Sequence, residues 1–99
     1  MIMYSTRARV AGYLPDVVAW GAKVAQLGTK VLGVQVDCAS RVGGHQDMVW
    51  VSRWDSLAAL DAALLKLGDN ADYLAMVKTA VEKGYFDPGS IEYAIWRLV

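Results

Sequence analysis

The sequence contains one pair of residues suited to acid–base chemistry, His45 and Asp47. In an extended chain, residues two apart point to the same side, so these two side chains would lie together at the start of a strand. A carboxylate can orient an imidazole and raise its basicity, as general-base catalysis requires. Arg7 is a third catalytic candidate, because its charge could polarise a substrate. The alternative for His45 and Asp47 is a solvated pair at a hairpin mouth, beside Gly43-Gly44.

A second group of residues could line a pocket for a small organic ligand. An indole such as that of Trp50 can form the wall of a site for a planar molecule, or it can pack in a subunit interface. Arg7 and Glu92 could anchor a ligand, or they could pair with each other on neighbouring strands. The candidate ligand-binding residues are Trp50, Met48, Ser52, Arg7, Glu92 and Trp96.

Metal and cofactor sites have no recognisable sequence signature in this chain. His45 is the only histidine, and no set of possible ligands around it has a known metal-binding spacing. No phosphate-binding glycine loop, serine-nucleophile elbow or haem-attachment motif is present. Cys38 is the only cysteine, which excludes an intrachain disulfide, and no histidine or lysine lies near it in sequence to lower its pKa. We therefore predict no metal, no cofactor and an ordinary thiol.

The composition narrows the choice of partners. Ten basic and ten acidic side chains cancel, so no charged field attracts nucleic acid or anionic lipid. No apolar run approaches the roughly 20 residues needed to span a bilayer, and the N-terminus lacks a signal-peptide pattern. We expect one cytoplasmic domain over residues 1–99. Apolar residues make up 56% of the chain, which favours burial of some apolar surface against a partner.

Hydrophobic periodicity predicts the elements that position these residues. Alternation predicts four strands, at residues 2–10, 31–37, 46–54 and 90–98. Apolar spacing of three and four, with caps and glycine stops, predicts three helices: from Pro15 to Gly28, from an Asp55 cap to Gly68, and from an Asp69 or Asn70 cap to Gly84. Gly21 inside the first helix costs about 1 kcal/mol relative to alanine, which close packing against a strand would explain.

The order β-α-β-β-α-α-β predicts an α+β, ferredoxin-like sandwich: a four-stranded antiparallel sheet with helices on one face. Alternation along each strand assigns its side chains to the two faces. The helix-facing set is expected to be Ile2, Leu32, Val34, Val36, Val49, Val51, Ile91 and Ile95. The set on the opposite face is expected to be Met3, Ser5, Arg7, Gln35, Met48, Trp50, Ser52, Glu92, Ala94 and Trp96.

The second face is too apolar for a surface exposed to water. Burying one large apolar side chain contributes about 1.5–3 kcal/mol, so exposing several of them is unfavourable. We therefore expect a second copy of the chain to cover this face, which gives a closed homodimer with a small cavity between the two sheets. The alternative is a monomer that tolerates exposed aromatic residues.

Three segments resemble the dimeric α+β barrel superfamily. Residues 48–60, MVWVSRWDSLAAL, are similar to its strand with a tryptophan that runs into a helix starting Ser-Leu-Ala. Asp72-Tyr73 before Met76 and Val77, and Pro88-Gly89-Ser90 before the last strand, are the other two. NIPSNAP-like proteins are the nearest group and antibiotic-biosynthesis-monooxygenase-like proteins the next. The resemblance implies a dimeric α/β barrel.

Members of this superfamily include cofactor-independent monooxygenases, haem-degrading enzymes, isomerases and proteins with no known reaction, so the fold alone does not define the function. The leading hypothesis is a homodimer that binds a small, partly apolar organic ligand. As an enzyme, it would be a cofactor-independent oxygenase or isomerase of a cyclic or aromatic substrate. The alternative is a non-catalytic dimerisation or binding module with a packed core. An open volume beside Trp50 would distinguish ligand binding from the packed module.

Overall fold

The strands and helices follow one another in the predicted order. The computed structural model describes residues 1–99, which form β1 (Ile2–Arg9), α1 (Leu14–Leu32), β2 (Val36–Ser40), β3 (Asp47–Trp54), α2 (Leu57–Gly68), α3 (Ala71–Glu82), a 3₁₀ turn (Pro88–Ser90) and β4 (Glu92–Arg97). The sheet has the strand order β2-β3-β1-β4, and every neighbouring pair is antiparallel. The fold is therefore the predicted ferredoxin-like α+β sandwich. None of the helices combines the length and the apolar character needed to cross a membrane.

The first helix is longer than predicted, and β2 begins later. Helix α1 ends at Leu32, where Gly33 adopts a left-handed φ of 73° that only glycine takes without strain. The Thr29 hydroxyl donates to the Ala25 carbonyl at 2.9 Å and accepts from the Val36 amide at 3.0 Å, which joins the end of the helix to the start of the strand. The prediction of a strand from residue 31 was therefore wrong, because the first two residues of that apolar run complete the helix.

Side-chain caps mark the starts of the two later helices. The Ser56 hydroxyl accepts from the Ala59 amide at 3.1 Å, so α2 is capped one residue after the predicted Asp55. The Asn70 side chain accepts from the Tyr73 amide at 2.9 Å, which selects Asn70 from the two predicted caps of α3. Each cap satisfies a backbone amide that has no partner within its helix.

The register of the sheet decides which side chains face the helices. Residues directly opposite on paired strands share a face, and Thr6 lies opposite Trp50 on β3 and Tyr93 on β4. The Trp50 indole donates to a carbonyl of α1, so this is the helix-facing side. The predicted faces of β1 and β4 are thereby confirmed.

The predicted faces of β3 were wrong. Met48, Trp50 and Ser52 face the helices, whereas Val49 and Val51 lie on the open face of the sheet. Met48 is only 1% exposed. Both sets are apolar, so alternation alone could not choose between them. The long side chains of Met48 and Trp50 lie under α1, where they occupy the space beside Gly21.

Helix α1 packs closely against the sheet at Gly21. A Cβ atom at this position would lie 2.6 Å from Met48 Cε and 3.3 Å from an atom of the Trp50 ring. The Trp50 Nε1 group donates to the Gly21 carbonyl at 3.1 Å. The predicted reason for this helical glycine, close packing against a strand, is confirmed.

We expect Gly21→Leu to lower the free energy of unfolding by about 2 kcal/mol or more, because the added side chain overlaps Met48 and Trp50. Ala22→Leu is the matched control, since Ala22 is exposed on the same helix and its substitution should change stability by less than about 0.5 kcal/mol. Urea denaturation measures both. Equal stability of the two variants would contradict the close approach.

Candidate functional site

A cavity of about 260 Å³ lies between the helix-facing side of the sheet and the three helices. Its floor includes residues of the central strands, among them Thr6 and Trp50, and its roof comes from residues such as Val24, Leu64 and Val77 on the three helices. No charged side chain lines it. Pockets for small organic molecules have this composition, with apolar and aromatic walls and a few polar groups.

Aromatic rings packed edge to face form one end of the cavity. The centroid of Trp20 lies 5.9 Å from that of Trp50 and 5.5 Å from that of Phe86, and Trp50 and Phe86 are 5.8 Å apart. Their mutual contacts hold the rings in place, as edge-to-face pairs do in protein cores. These rings can therefore act as a rigid wall for an apolar ligand.

The indole N–H groups around the cavity already have partners. Trp20 donates to the Met76 carbonyl at 2.9 Å, and Trp50 donates to the Gly21 carbonyl. Trp54 donates to the Ser52 hydroxyl at 2.8 Å. The tryptophans consequently offer a ligand apolar ring surface rather than hydrogen bonds.

Three tyrosines, which we term the tyrosine cluster, line the side of the cavity nearest β4. The rings of Tyr4 and Tyr93 are stacked, with centroids 6.4 Å apart and an interplanar angle of 15°. Burial raises the pKa of Tyr73 above its usual value, and the proximity of Tyr93 and Tyr4 adds to this effect. The Tyr73 hydroxyl therefore stays protonated at neutral pH. No buried side-chain oxygen of the chain is left without a hydrogen-bond partner. The three tyrosine hydroxyl groups are therefore accessible to solvent or to a molecule in the cavity.

The structure divides the six predicted ligand-binding residues between the two faces of the sheet. Trp50 and Ser52 line the cavity, and Met48 is packed beneath Gly21 on the same side. The three others, Arg7, Glu92 and Trp96, lie on the open face. The cavity is thus next to Trp50, where the packed-module alternative predicted a filled core.

The polar residues on the open face bond to one another. Arg7 and Glu92 form the ion pair that was one of the two predicted alternatives. The Trp96 indole donates to the Ser5 hydroxyl at 3.2 Å. Both Arg7 and Glu92 are more than half exposed, so their ion pair contributes little to stability.

The structure shows no hydrogen bond or ion pair between His45 and Asp47. His45 is exposed in the loop before β3, and Asp47, the first residue of β3, accepts instead from Arg41 at 3.4 Å. Neither residue lines the cavity. The geometry of an oriented general base is therefore not formed by these two residues.

Cys38 lies on the helix-facing side of β2, opposite Trp50. Burial raises the pKa of its thiol to about 11, because a thiolate loses its hydration there. The side chain is thus a neutral thiol at physiological pH. No cluster of three or more potential metal ligands is found among the histidine, cysteine, aspartate and glutamate residues.

The raised pKa predicts slow alkylation of Cys38. At pH 8 we expect iodoacetamide to modify this thiol more than about tenfold slower than free cysteine, because less of it is thiolate. The rate should increase with pH up to about 11, and mass spectrometry of quenched samples measures it. A rate at pH 8 equal to that of free cysteine would contradict the prediction.

The fold and the cavity define a class of protein: a ferredoxin-like domain with an apolar cavity beneath its helices. The sequence matches no protein-family model and no curated protein sequence. The structure, however, superposes on solved structures over nearly the whole chain.

Two groups of solved structures share this fold. A NIPSNAP domain protein from Burkholderia xenovorans has a TM-score of 0.81 and 16% identity, and the match covers 100% of this chain and 95% of that one. An antibiotic biosynthesis monooxygenase-like protein from Deinococcus radiodurans has a TM-score of 0.72 and 10% identity, covering 100% and 93%. SnoaB, a cofactor-independent oxygenase from Streptomyces nogalater, has a TM-score of 0.71 and 15% identity, covering 99% and 92%. The predicted resemblance to both groups is confirmed at the level of the fold.

Proposed function

We propose that this chain is a single-domain cytoplasmic protein that binds a small, largely apolar organic ligand in the cavity between its sheet and its helices. The observation that carries the proposal is the cavity itself, about 260 Å³ in volume with rigid aromatic walls and no charged lining residue. Transfer of apolar ligand surface from water into such a site is favourable by about 25 cal/mol per Å². The volume is close to the lower end of the range, roughly 300 Å³, for small-molecule pockets.

From the sequence we expected the ligand between the sheets of two copies of the chain. We now propose that it binds between the sheet and the helices of one copy. The reason is the corrected face of β3, since Trp50 and Ser52 line the internal cavity. This location makes ligand binding a property of one chain.

A cofactor-independent oxygenase or isomerase acting on a cyclic substrate is the second candidate. It is supported by the fold shared with SnoaB, a cofactor-independent oxygenase. The cavity would position the substrate and exclude water from it. Because His45, Asp47 and Arg7 lie outside the cavity, a reaction within it would use the hydroxyl groups on its wall. Oxygen uptake in the presence of a cyclic substrate separates an oxygenase from a binding protein.

We also propose that two copies associate through the open face of the sheet. Val49 and Val51 lie at its centre on β3, and Trp96 on β4 is 54% exposed. The helices all pack on the other side, so apolar groups on this face are left in water in a single chain. A second copy offers the same face, and a two-fold contact would bury both.

The cavity proposal predicts binding of 2-isopropylnaphthalene, an uncharged apolar probe, at one molecule per chain by isothermal titration calorimetry. Val77→Trp should weaken this binding by about tenfold or more, because the larger ring occupies the cavity. Lys78→Trp is the control, since Lys78 is the exposed neighbour on α3 and its substitution should leave binding unchanged. Failure of the wild type to bind would refute ligand binding in this cavity.

The dimer proposal predicts that the wild type sediments as a dimer at micromolar concentration. Val49→Arg should weaken association by at least about a hundredfold, because the added charge lies opposite Ala39 and Arg7 and would be buried without a counter-ion of its own in each half of the contact. Val42→Arg introduces the same charge in the exposed loop after β2 and should leave the dimer intact. A wild-type monomer in sedimentation velocity would rule out this interface.

A further inference from the structure

The polar groups of the cavity are almost all hydroxyl donors. The tryptophan N–H groups are bonded within the protein. The Ser52 oxygen accepts from Trp54, but the hydroxyl keeps its own O–H to donate. The side chains able to bond a ligand are therefore Ser52, Thr6 and the tyrosine cluster. A phenol is a good donor and a weak acceptor, so the ligand atom that matches this wall is an acceptor oxygen.

Because no charged side chain lines the cavity, we expect its ligand to be neutral. An ionised group moved from water into a site without a counter-ion loses hydration that nothing replaces. The cavity holds neither a cation for a carboxylate nor an anion for an amine. A neutral oxygen, such as that of a ketone, enters at a much smaller cost.

Tyr73 is better placed to donate than the other two tyrosines of the cluster. Tyr93 is 66% exposed, so water competes for its hydroxyl, and Tyr4 is stacked against Tyr93. Tyr73 stands in the first turn of α3, where the Asn70 cap bonds its amide and fixes its backbone. Burial also keeps its hydroxyl protonated. A hydrogen bond in such a half-buried position is stronger than one at the surface.

We propose that the cavity selects neutral ligands bearing a carbonyl oxygen, and that Tyr73 is the specificity-determining residue that donates a hydrogen bond to that oxygen. This inference rests on the proposed function, because it assigns the chemistry of the ligand in the same cavity. In this orientation the carbonyl oxygen of the ligand points towards the tyrosine cluster, and its apolar skeleton lies against Trp50 and Phe86.

Three probes of similar size test the inference by isothermal titration calorimetry with the full-length chain. They are 2-acetylnaphthalene, which is a neutral ketone, 2-isopropylnaphthalene, which lacks the oxygen, and 2-naphthoate, which is an anion. We expect the ketone to bind most tightly and the anion at least about a hundredfold more weakly than the ketone. Tyr73→Phe should weaken ketone binding by about tenfold and leave hydrocarbon binding unchanged.

Tyr13→Phe is the matched control, because Tyr13 is 71% exposed and lies outside the cavity; it should change the affinity for none of the probes. If Tyr73→Phe leaves ketone affinity unchanged, or weakens both neutral probes equally, the role of Tyr73 is refuted while ligand binding stands. Anion binding as tight as ketone binding refutes the charge selection. If neither neutral probe binds the wild type, the proposed function fails, and this inference fails with it.

Discussion

The contact between Trp50 and Gly21 determines how the two layers of the domain fit together. The indole ring lies under α1, its N–H group bonds the Gly21 carbonyl, and Met48 occupies the space that a Cβ atom would need. A side chain at position 21 would therefore have no room at this contact. Further along the same helix, Val24 and Leu32 line the cavity. Close packing at one end of the interface and a cavity beyond it are thus two results of one arrangement.

Element order was predictable because it depends on local signals. Periodicity, caps and glycine stops act over a few residues, and the strand order then follows from the antiparallel fold. The end of α1 was not predictable in the same way. Val31-Leu32 can continue a helix or begin a strand, and the choice depends on the contact of Thr29 with Val36, which joins residues on two different elements. Gly33, which was predicted to lie within a strand, is the glycine that ends α1 in place of Gly28.

The faces of β3 depend on its pairing, which its own residues do not encode. Valine alternates there with tryptophan, methionine and serine, and both halves are apolar enough for a core. The register with β1 settles the question, because Ala8 lies opposite Met48 on the crowded side. The candidate site was also only partly predictable, because it depends on how separate elements pair. Trp50 was predicted as a ligand contact and lines the cavity, but the tyrosine cluster was not predicted. Tyr4 shares its face with Ile2, and Tyr93 shares its face with Ile91 and Ile95, all of which alternation had placed on the helix side. Only the convergence of these two tyrosines with a residue of α3 was hidden from the sequence.

Only 11 of the 99 residues are buried, so the folded chain is held together by a small core. The unfolded chain has no cavity, and any molecule that binds only the folded form raises the free energy of unfolding by RT ln(1 + [L]/Kd). For a domain with so little buried surface of its own, that increment is a large fraction of the total. A ligand that binds in the cavity under α1 as proposed would therefore raise the melting temperature of this protein in proportion to the logarithm of its concentration, and the melting temperature would report how much of the cavity is occupied.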